Sequence, residues 1–80
     1  MQYVYILSST VFRERIYVGV TQDIEKRLHE HNSGKSHYTA KYAPWNVIFY
    51  AAFNTQEKAL AFEKYLKTGS GRTFINSKIL

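Results

Sequence analysis

Apolar and polar positions follow two different periods along this chain. Three short runs rich in aromatic and β-branched residues are typical of β-strands: QYVYIL (2–7), RIYVGV (15–20) and VIFYAAF (47–53). A short polar connection joins the first two runs, so they predict an antiparallel hairpin. Apolar residues occupy both alternations of these strands, which predicts that both faces of the sheet are covered.

The segments between and after the strands follow a helical period. Thr21 is the predicted N-cap of a first helix, which has acidic residues in its first turn and ends at Gly34. Thr55 is predicted to open a second helix that runs to about Lys67. The GSG sequence closes this helix, and a short third helix is predicted from about Arg72.

Residues 35–46 contain the only proline and predict a loop. The resulting order of elements is ββαβα(α). It predicts a mixed α/β protein, more narrowly one of the α+β class. We expect a small three-stranded antiparallel sheet flanked by helices, in a single domain over residues 1–80.

Composition excludes several kinds of protein. The chain has no cysteine, so neither a disulfide nor a thiolate metal site is available, and a reducing cytoplasm fits this composition. The first residues, MQYVYIL, lack both a positive n-region and a long apolar run. We therefore expect a soluble cytoplasmic protein that does not interact with a membrane.

Charge is distributed unevenly along the chain. Eleven Lys and Arg against six Asp and Glu give a net charge of +5, and no acidic residue occurs between Glu30 and Glu57 or after Glu63. Basic side chains beside Tyr38 and Tyr42 suit a phosphate backbone with bases to stack on. An ordinary solvated basic surface explains the charge equally well. The predicted nucleic-acid-binding residues are Lys35, Lys41, Lys67 and Arg72.

Two polar residues lie at the edge of the apolar stripe of the first helix. Arg27 and His31 are one turn apart and point in the same direction. Taken alone, Arg27 is explained by a surface pair with Asp23, and His31 by a hydrogen-bonded core histidine. His29 and His31 do not form a metal-binding pair, because residues two apart on a helix point about 200° apart.

The second helix and the hairpin add further polar side chains at core margins. Glu63 borders the apolar stripe of its helix, and an ion pair with Lys67 would be a sufficient explanation for it. Tyr5 lies on one face of the first strand, and Tyr17 shares a face with Gly19 on the second. Cross-strand aromatic packing is the simpler explanation for the tyrosines. Gly19 predicts a close approach of some group to the strand backbone.

Together these residues supply two phenols, an arginine, a histidine and one carboxylate. No Ser/His/Asp order, glycine-rich phosphate loop or His-Glu-x-x-His motif competes with this set. A lone carboxylate without a thiolate suits a hard divalent ion that keeps most of its waters and takes oxygens from a phosphate substrate. Phosphodiester hydrolysis needs such an ion, an arginine for the non-bridging oxygens, and a proton acceptor.

At these residues the chain resembles the GIY-YIG nucleases. The resemblance extends from Tyr3 to about Phe74, and the order and spacing of the motifs carry it. In chain order the motifs are Tyr3-Val4-Tyr5, Tyr17-Val18-Gly19, Arg27, His31-Asn32 and Glu63 within ALAFEKYLK. The chain looks like a minimal stand-alone domain of the small bacterial type.

The resemblance implies a GIY-YIG endonuclease fold and a metal-dependent endonuclease that acts on DNA, in repair or on branched DNA. Its cofactor would be Mg²⁺ or Mn²⁺, without a small-molecule cofactor. By the same resemblance, Glu63 would hold the metal and Arg27 would stabilise the pentavalent phosphate. Tyr17 or Tyr5 would activate the water, and His31 would relay a proton or orient a phenol.

Some positions depart from the family pattern. Tyr3 replaces the glycine that opens the first tripeptide, and Val20 stands where some relatives carry a lysine. Asn76 is a candidate for the late asparagine of the family. These departures leave an alternative, a nucleic-acid-binding module that keeps the fold and has little or no cleavage activity. Retention of all five polar residues favours the enzyme.

Overall fold

The computed structural model describes all 80 residues and contains one antiparallel sheet with the strand order β2-β1-β3. The strands are β1 (Gln2–Ser9), β2 (Ile16–Thr21) and β3 (Trp45–Phe53). The helices are α1 (Ile24–Asn32), α2 (His37–Ala40), α3 (Gln56–Leu66) and α4 (Gly69–Phe74), the last continued by a π-helical turn over Ile75–Ile79. The predicted α+β class and the three-stranded antiparallel sheet with helices are confirmed.

Both faces of the sheet are covered, as the two alternations of apolar residues predict. On one face, β1 and β2 pack against α3 and the π-helical turn. This core consists of Val4, Ile6, Val18, Ala59, Leu66 and Ile75. On the other face, Tyr5, Leu7 and Trp45 pack against Ile24 and Leu28 of α1. Successive residues of β1 therefore belong to different cores.

Side-chain caps define the starts of the two main helices. The N-cap of α1 is Asp23, whose carboxylate accepts from the backbone N–H of Lys26, so the prediction of Thr21 was wrong. Thr21 ends β2, and its hydroxyl accepts from the Asp23 N–H in the turn before the helix. Thr55 caps α3 as predicted. Gly34, just after α1, has a φ of 87°, a conformation that favours glycine.

Several elements differ from the prediction. Helix α2 lies inside residues 35–46, which were predicted as a loop, and β3 begins at Trp45 rather than at position 47. Helix α4 begins at Gly69 rather than near Arg72, with Thr68 as its N-cap. The glycines therefore belong to α4 instead of separating two helices. Gly71 packs so closely on the end of α3 that any side chain there would collide with the backbone of Leu66.

No helix of the protein is both long enough and apolar enough to cross a membrane.

Candidate active site

A cleft of about 500 Å³ lies along the edge strand β2, between α1 and α3. Its lining consists of Gln2, Tyr5, Tyr17, Gly19, Val20, Thr21, Gln22, Arg27, Gln56, Leu60 and Glu63. Four of the five predicted catalytic residues thus share one cleft, although they come from two strands and two helices. The fifth, His31, is fully buried and lies behind the cleft wall.

The register of the hairpin determines how the two phenols enter the cleft. Tyr5 of β1 pairs directly with Gly19 of β2. A Cβ atom at position 19 would lie 2.6 Å from the Tyr5 hydroxyl oxygen, so the tyrosine fits there only because residue 19 is glycine. The close approach that Gly19 predicts is therefore made by the protein's own phenol. The Tyr17 ring lies beside that of Tyr5, with the centroids 6.2 Å apart.

Helix α1 brings the guanidinium of Arg27 to the same cleft. Arg27 Nη1 donates to Glu30 Oε1 at 2.8 Å, which replaces the expected pair with Asp23. Asp23 is used instead as the helix cap. Hydrogen bonding to Glu30 raises the pKa of Arg27, and the nearby phenols act in the same direction. The side chain keeps 36% of its exposure, so the cation remains accessible to an anion in the cleft.

The His31 ring lies between Tyr5 in the cleft wall and Thr39 in the protein interior. Its Nε2 is 2.9 Å from the Tyr5 hydroxyl, and its Nδ1 is 2.8 Å from the hydroxyl of Thr39. Burial, with Arg27 nearby, lowers the pKa of the imidazole, so the ring is neutral at pH 7. His31 is thus a satisfied buried histidine that also contacts a cleft phenol.

Burial is the main cause of an unusual pKa at Tyr5. It raises the pKa of this phenol to about 12, with Tyr17 adding to the increase and Arg27 opposing it. At neutral pH the hydroxyl therefore keeps its proton. The phenolate form of Tyr5 is therefore rare. If Tyr5 accepts a proton from another group, it has to release its own hydroxyl proton at the same time.

Glu63 supplies the carboxylate of the cleft from helix α3. Its Oε2 accepts from Lys67 Nζ at 3.0 Å, the i,i+4 pair that the sequence predicts, and its side chain is 22% exposed. No group of three His, Cys, Asp or Glu side chains could hold a metal ion by itself. One accessible carboxylate in an open cleft does fit Mg²⁺ or Mn²⁺, which keep several waters and share the oxygens of a phosphate substrate.

The predicted nucleic-acid-binding residues do not line the cleft. Lys35, Lys41 and Arg72 are exposed elsewhere on the surface, and the exposed Lys67 is engaged with Glu63. Asn76 is exposed on the π-helical turn and is also absent from the cleft lining.

Sequence reasoning missed two groups of residues. One is Thr39, the partner of His31, because a four-residue helix leaves no periodic signal. The other is a set of three glutamines at element ends that line the cleft: Gln2, Gln22 and Gln56. Each glutamine lies at or next to the end of a strand or helix that also contains a site residue. This position is the only feature of the sequence that points to them.

Comparison with known proteins gives a consistent result. The family model described as the GIY-YIG catalytic domain matches residues 1–76. A UPF0213 protein of Haloquadratum walsbyi is 36% identical over 67 residues, which are 82% of this chain and 73% of that protein. One from Streptococcus pyogenes serotype M5 is 33% identical over 72 residues, 89% and 76% of the two chains.

A solved structure agrees with these sequence matches. The solution NMR structure of a UPF0213 protein from Bacillus halodurans aligns with a TM-score of 0.55 and 31% identity, covering 96% of this chain and 84% of that one. The motifs, the cleft and these matches lead to one conclusion: the chain belongs to the GIY-YIG family.

Proposed function

We propose that this protein is a divalent-metal-dependent endonuclease that hydrolyses DNA phosphodiester bonds, in repair or in the processing of branched DNA. The observation that carries the proposal is the single cleft lined by Tyr5, Tyr17, Arg27 and Glu63. Membership of a nuclease family supports the reaction class. A pure binding module has no use for a carboxylate in a cleft that accepts phosphate, because the two would repel each other.

Two cleft residues stabilise the negative charge of the phosphate during the reaction. Arg27 donates to the non-bridging oxygens of the scissile phosphate and stabilises the charge that grows on them during attack. Glu63 would hold the metal ion, which when bound would supply Lewis-acid stabilisation of the phosphate. Both side chains line the cleft and keep partial exposure, which makes them accessible to solvent.

The proton of the attacking water passes to Tyr5 and onward to His31. As the water oxygen bonds to phosphorus, the Tyr5 oxygen accepts the water proton and its own hydroxyl proton moves to His31 Nε2, 2.9 Å away. The bond from phosphorus to the leaving sugar oxygen breaks, and that oxygen takes a proton from solvent. This relay avoids a free phenolate, in keeping with the pKa of about 12 at Tyr5. Tyr17 lines the same cleft beside Tyr5 and supplies the second phenol next to the reacting water.

Surface features outside the cleft suit DNA with unstacked bases. The rings of Tyr38 and Tyr42 lie 5.5 Å apart, and Tyr38 is 49% exposed. The guanidinium of Arg15 lies over Tyr42, 4.8 Å from the ring centroid. Exposed aromatic rings beside basic groups such as Lys41 bind bases by stacking and the backbone by charge.

The decisive experiment is cleavage of supercoiled and branched DNA with Mg²⁺ or Mn²⁺, comparing the unmodified protein with Glu63→Ala. The variant should lose more than about 100-fold in cleavage rate, because the carboxylate that holds the ion is gone. DNA binding, measured by fluorescence anisotropy, should persist. Glu57→Ala is the matched control, since Glu57 is an exposed glutamate of the same helix outside the cleft.

One feature favours the alternative of a DNA-binding module without cleavage. Val20 lines the cleft and places an apolar side chain where some relatives carry a lysine. If the unmodified protein binds DNA but leaves it intact with every metal and substrate, the binding module replaces the nuclease as the function.

A further inference from the structure

A buried chain of hydrogen bonds lies behind the cleft. The Tyr5 hydroxyl is 2.9 Å from His31 Nε2, and His31 Nδ1 is 2.8 Å from Thr39 Oγ1. The Thr39 hydroxyl in turn donates to the backbone carbonyl of Ser36 at 3.3 Å. The chain therefore starts at a cleft phenol and ends at a group that can only accept.

The direction of these bonds follows from counting protons. A hydroxyl has one proton, and we assign that of Thr39 to the Ser36 carbonyl, so that Thr39 Oγ1 accepts from His31 Nδ1. A neutral imidazole carries one N–H, which leaves Nε2 without a proton. Nε2 then accepts from the Tyr5 hydroxyl, and the lone pairs of the Tyr5 oxygen stay available to the cleft.

Bonds that do not involve its hydroxyl hold Thr39 in place. The backbone carbonyl of Thr39 accepts from Trp45 Nε1 at 2.8 Å. Trp45 in turn exchanges two hydrogen bonds with the side chain of Asn32 at the end of α1. Thr39 itself is fully buried. Replacing its hydroxyl thus leaves the anchor of α2 to β3 intact.

We propose that Thr39 is a positioning residue: its hydroxyl holds the His31 proton on Nδ1, so that Nε2 takes the Tyr5 proton and the Tyr5 oxygen is free to accept one in the cleft. The catalytic consequence rests on the proposed nuclease function. The position of the proton on the ring does not, because it is inferred from the hydrogen bonds and not from the reaction.

Nitrogen-15 NMR of the histidine rings in the full chain at neutral pH tests the proton position directly. In the unmodified protein and in Thr39→Ser, His31 should show a protonated Nδ1 and a bare Nε2. In Thr39→Val, which keeps the shape but loses the acceptor, the proton should move to Nε2. Thr73→Val, at an exposed threonine of α4, is the control and should leave the His31 signals unchanged.

A protonated Nε2 in the unmodified protein would overturn the proposal, and this measurement holds even if Thr39→Val fails to fold. An unchanged His31 spectrum in a folded Thr39→Val would overturn it as well.

Cleavage kinetics test the consequence for the reaction. Thr39→Val should lower kcat about tenfold with KM unchanged, the scale of one lost buried hydrogen bond, and Thr39→Ser should restore it. Unchanged kcat in a Thr39→Val protein whose ring proton has moved would refute the positioning role. Absence of cleavage in all proteins, the unmodified one included, counts against the nuclease function, and the NMR result then decides the position of the proton alone.

Discussion

The two faces of the sheet are built differently, although they share the central strand β1. The face toward α3 and the π-helical turn is an apolar core that includes Val4, Ile6 and Leu66. The face toward α1 and α2 buries Tyr5 and His31, whose polar atoms are all hydrogen-bonded. One face supplies hydrophobic stabilisation with no polar groups to satisfy, and the other encloses a hydrogen-bonded network that ends at the cleft.

This contrast shows how a chain of 80 residues can combine an apolar core with a polar cleft. Neighbouring residues of β1 point to opposite faces of the sheet. Val4 and Ile6 therefore pack in the apolar core, whereas Tyr5 between them lies at the cleft. Stability and chemistry should therefore respond to different substitutions on the same few elements.

The largest effects should come from breaking each face separately. Leu66→Ala removes a fully buried side chain and should lower the free energy of unfolding by about 2–5 kcal/mol. Tyr5→Phe removes one hydrogen bond and should cost only about 1 kcal/mol, but it should lower the cleavage rate by about 100-fold or more. Urea denaturation and kinetics under conditions where each variant is folded measure the two quantities. Equal effects of both variants on both quantities would contradict the division between the faces.

An intermediate effect should appear in the pH dependence of stability. Burial lowers the pKa of His31 below the 6.5 of a free histidine, so the unfolded chain binds the proton more tightly than the folded protein. The stability that neutral His31 provides is complete above pH 6.5 and is lost as the pH falls toward the folded-state pKa. Urea titrations from pH 7.5 downward should show this decline.

Two glutamine variants separate His31 from other groups that titrate in that range. The decline should persist in His29→Gln, because His29 is exposed, and should weaken in His31→Gln. An identical decline in both variants would assign the effect to other groups.

The smallest effect should come from Lys67→Ala, which frees the cleft carboxylate of its partner. The pair with Glu63 is largely exposed, with 56% of the Lys67 side chain accessible, so its loss should cost no more than about 0.5 kcal/mol of unfolding free energy. Because Lys67 competes with a cation for Glu63, Mn²⁺ affinity should rise about twofold, measured by calorimetry. Lys64→Ala on the same helix is the control. A weaker affinity for Mn²⁺ would mean that Lys67 does not compete.

The strands, the two main helices and four residues of the cleft could be predicted because each leaves a periodic signal. Tyr5, Arg27 and Glu63 mark the margins of apolar stripes, and the structure brings them to one cleft. Helix α2 has only four residues, and its N-cap Ser36 makes no side-chain cap hydrogen bond, so local sequence does not reveal it. Thr39 could not be identified without that helix.

Other errors came from residues with two possible uses. Asp23 was available both as a partner for Arg27 and as a helix cap, and in the structure it is the cap, which leaves Arg27 to Glu30. The sequence pattern places Gly71 in a helix-ending GSG, whereas in the structure this glycine allows α4 to pack closely on the end of α3. Such choices depend on tertiary packing, which no local pattern records.

The central position of β1 has a consequence for motion at the cleft. Tyr5 is paired with Gly19 on one side and Tyr50 on the other, so its main chain is held by both neighbouring strands. Its amide proton should exchange with solvent only when the whole sheet opens, at the full free energy of unfolding. The Tyr5 phenol is thus attached to the strand that we expect to unfold last. Arg27 belongs to a nine-residue helix, whose ends can unfold without the sheet.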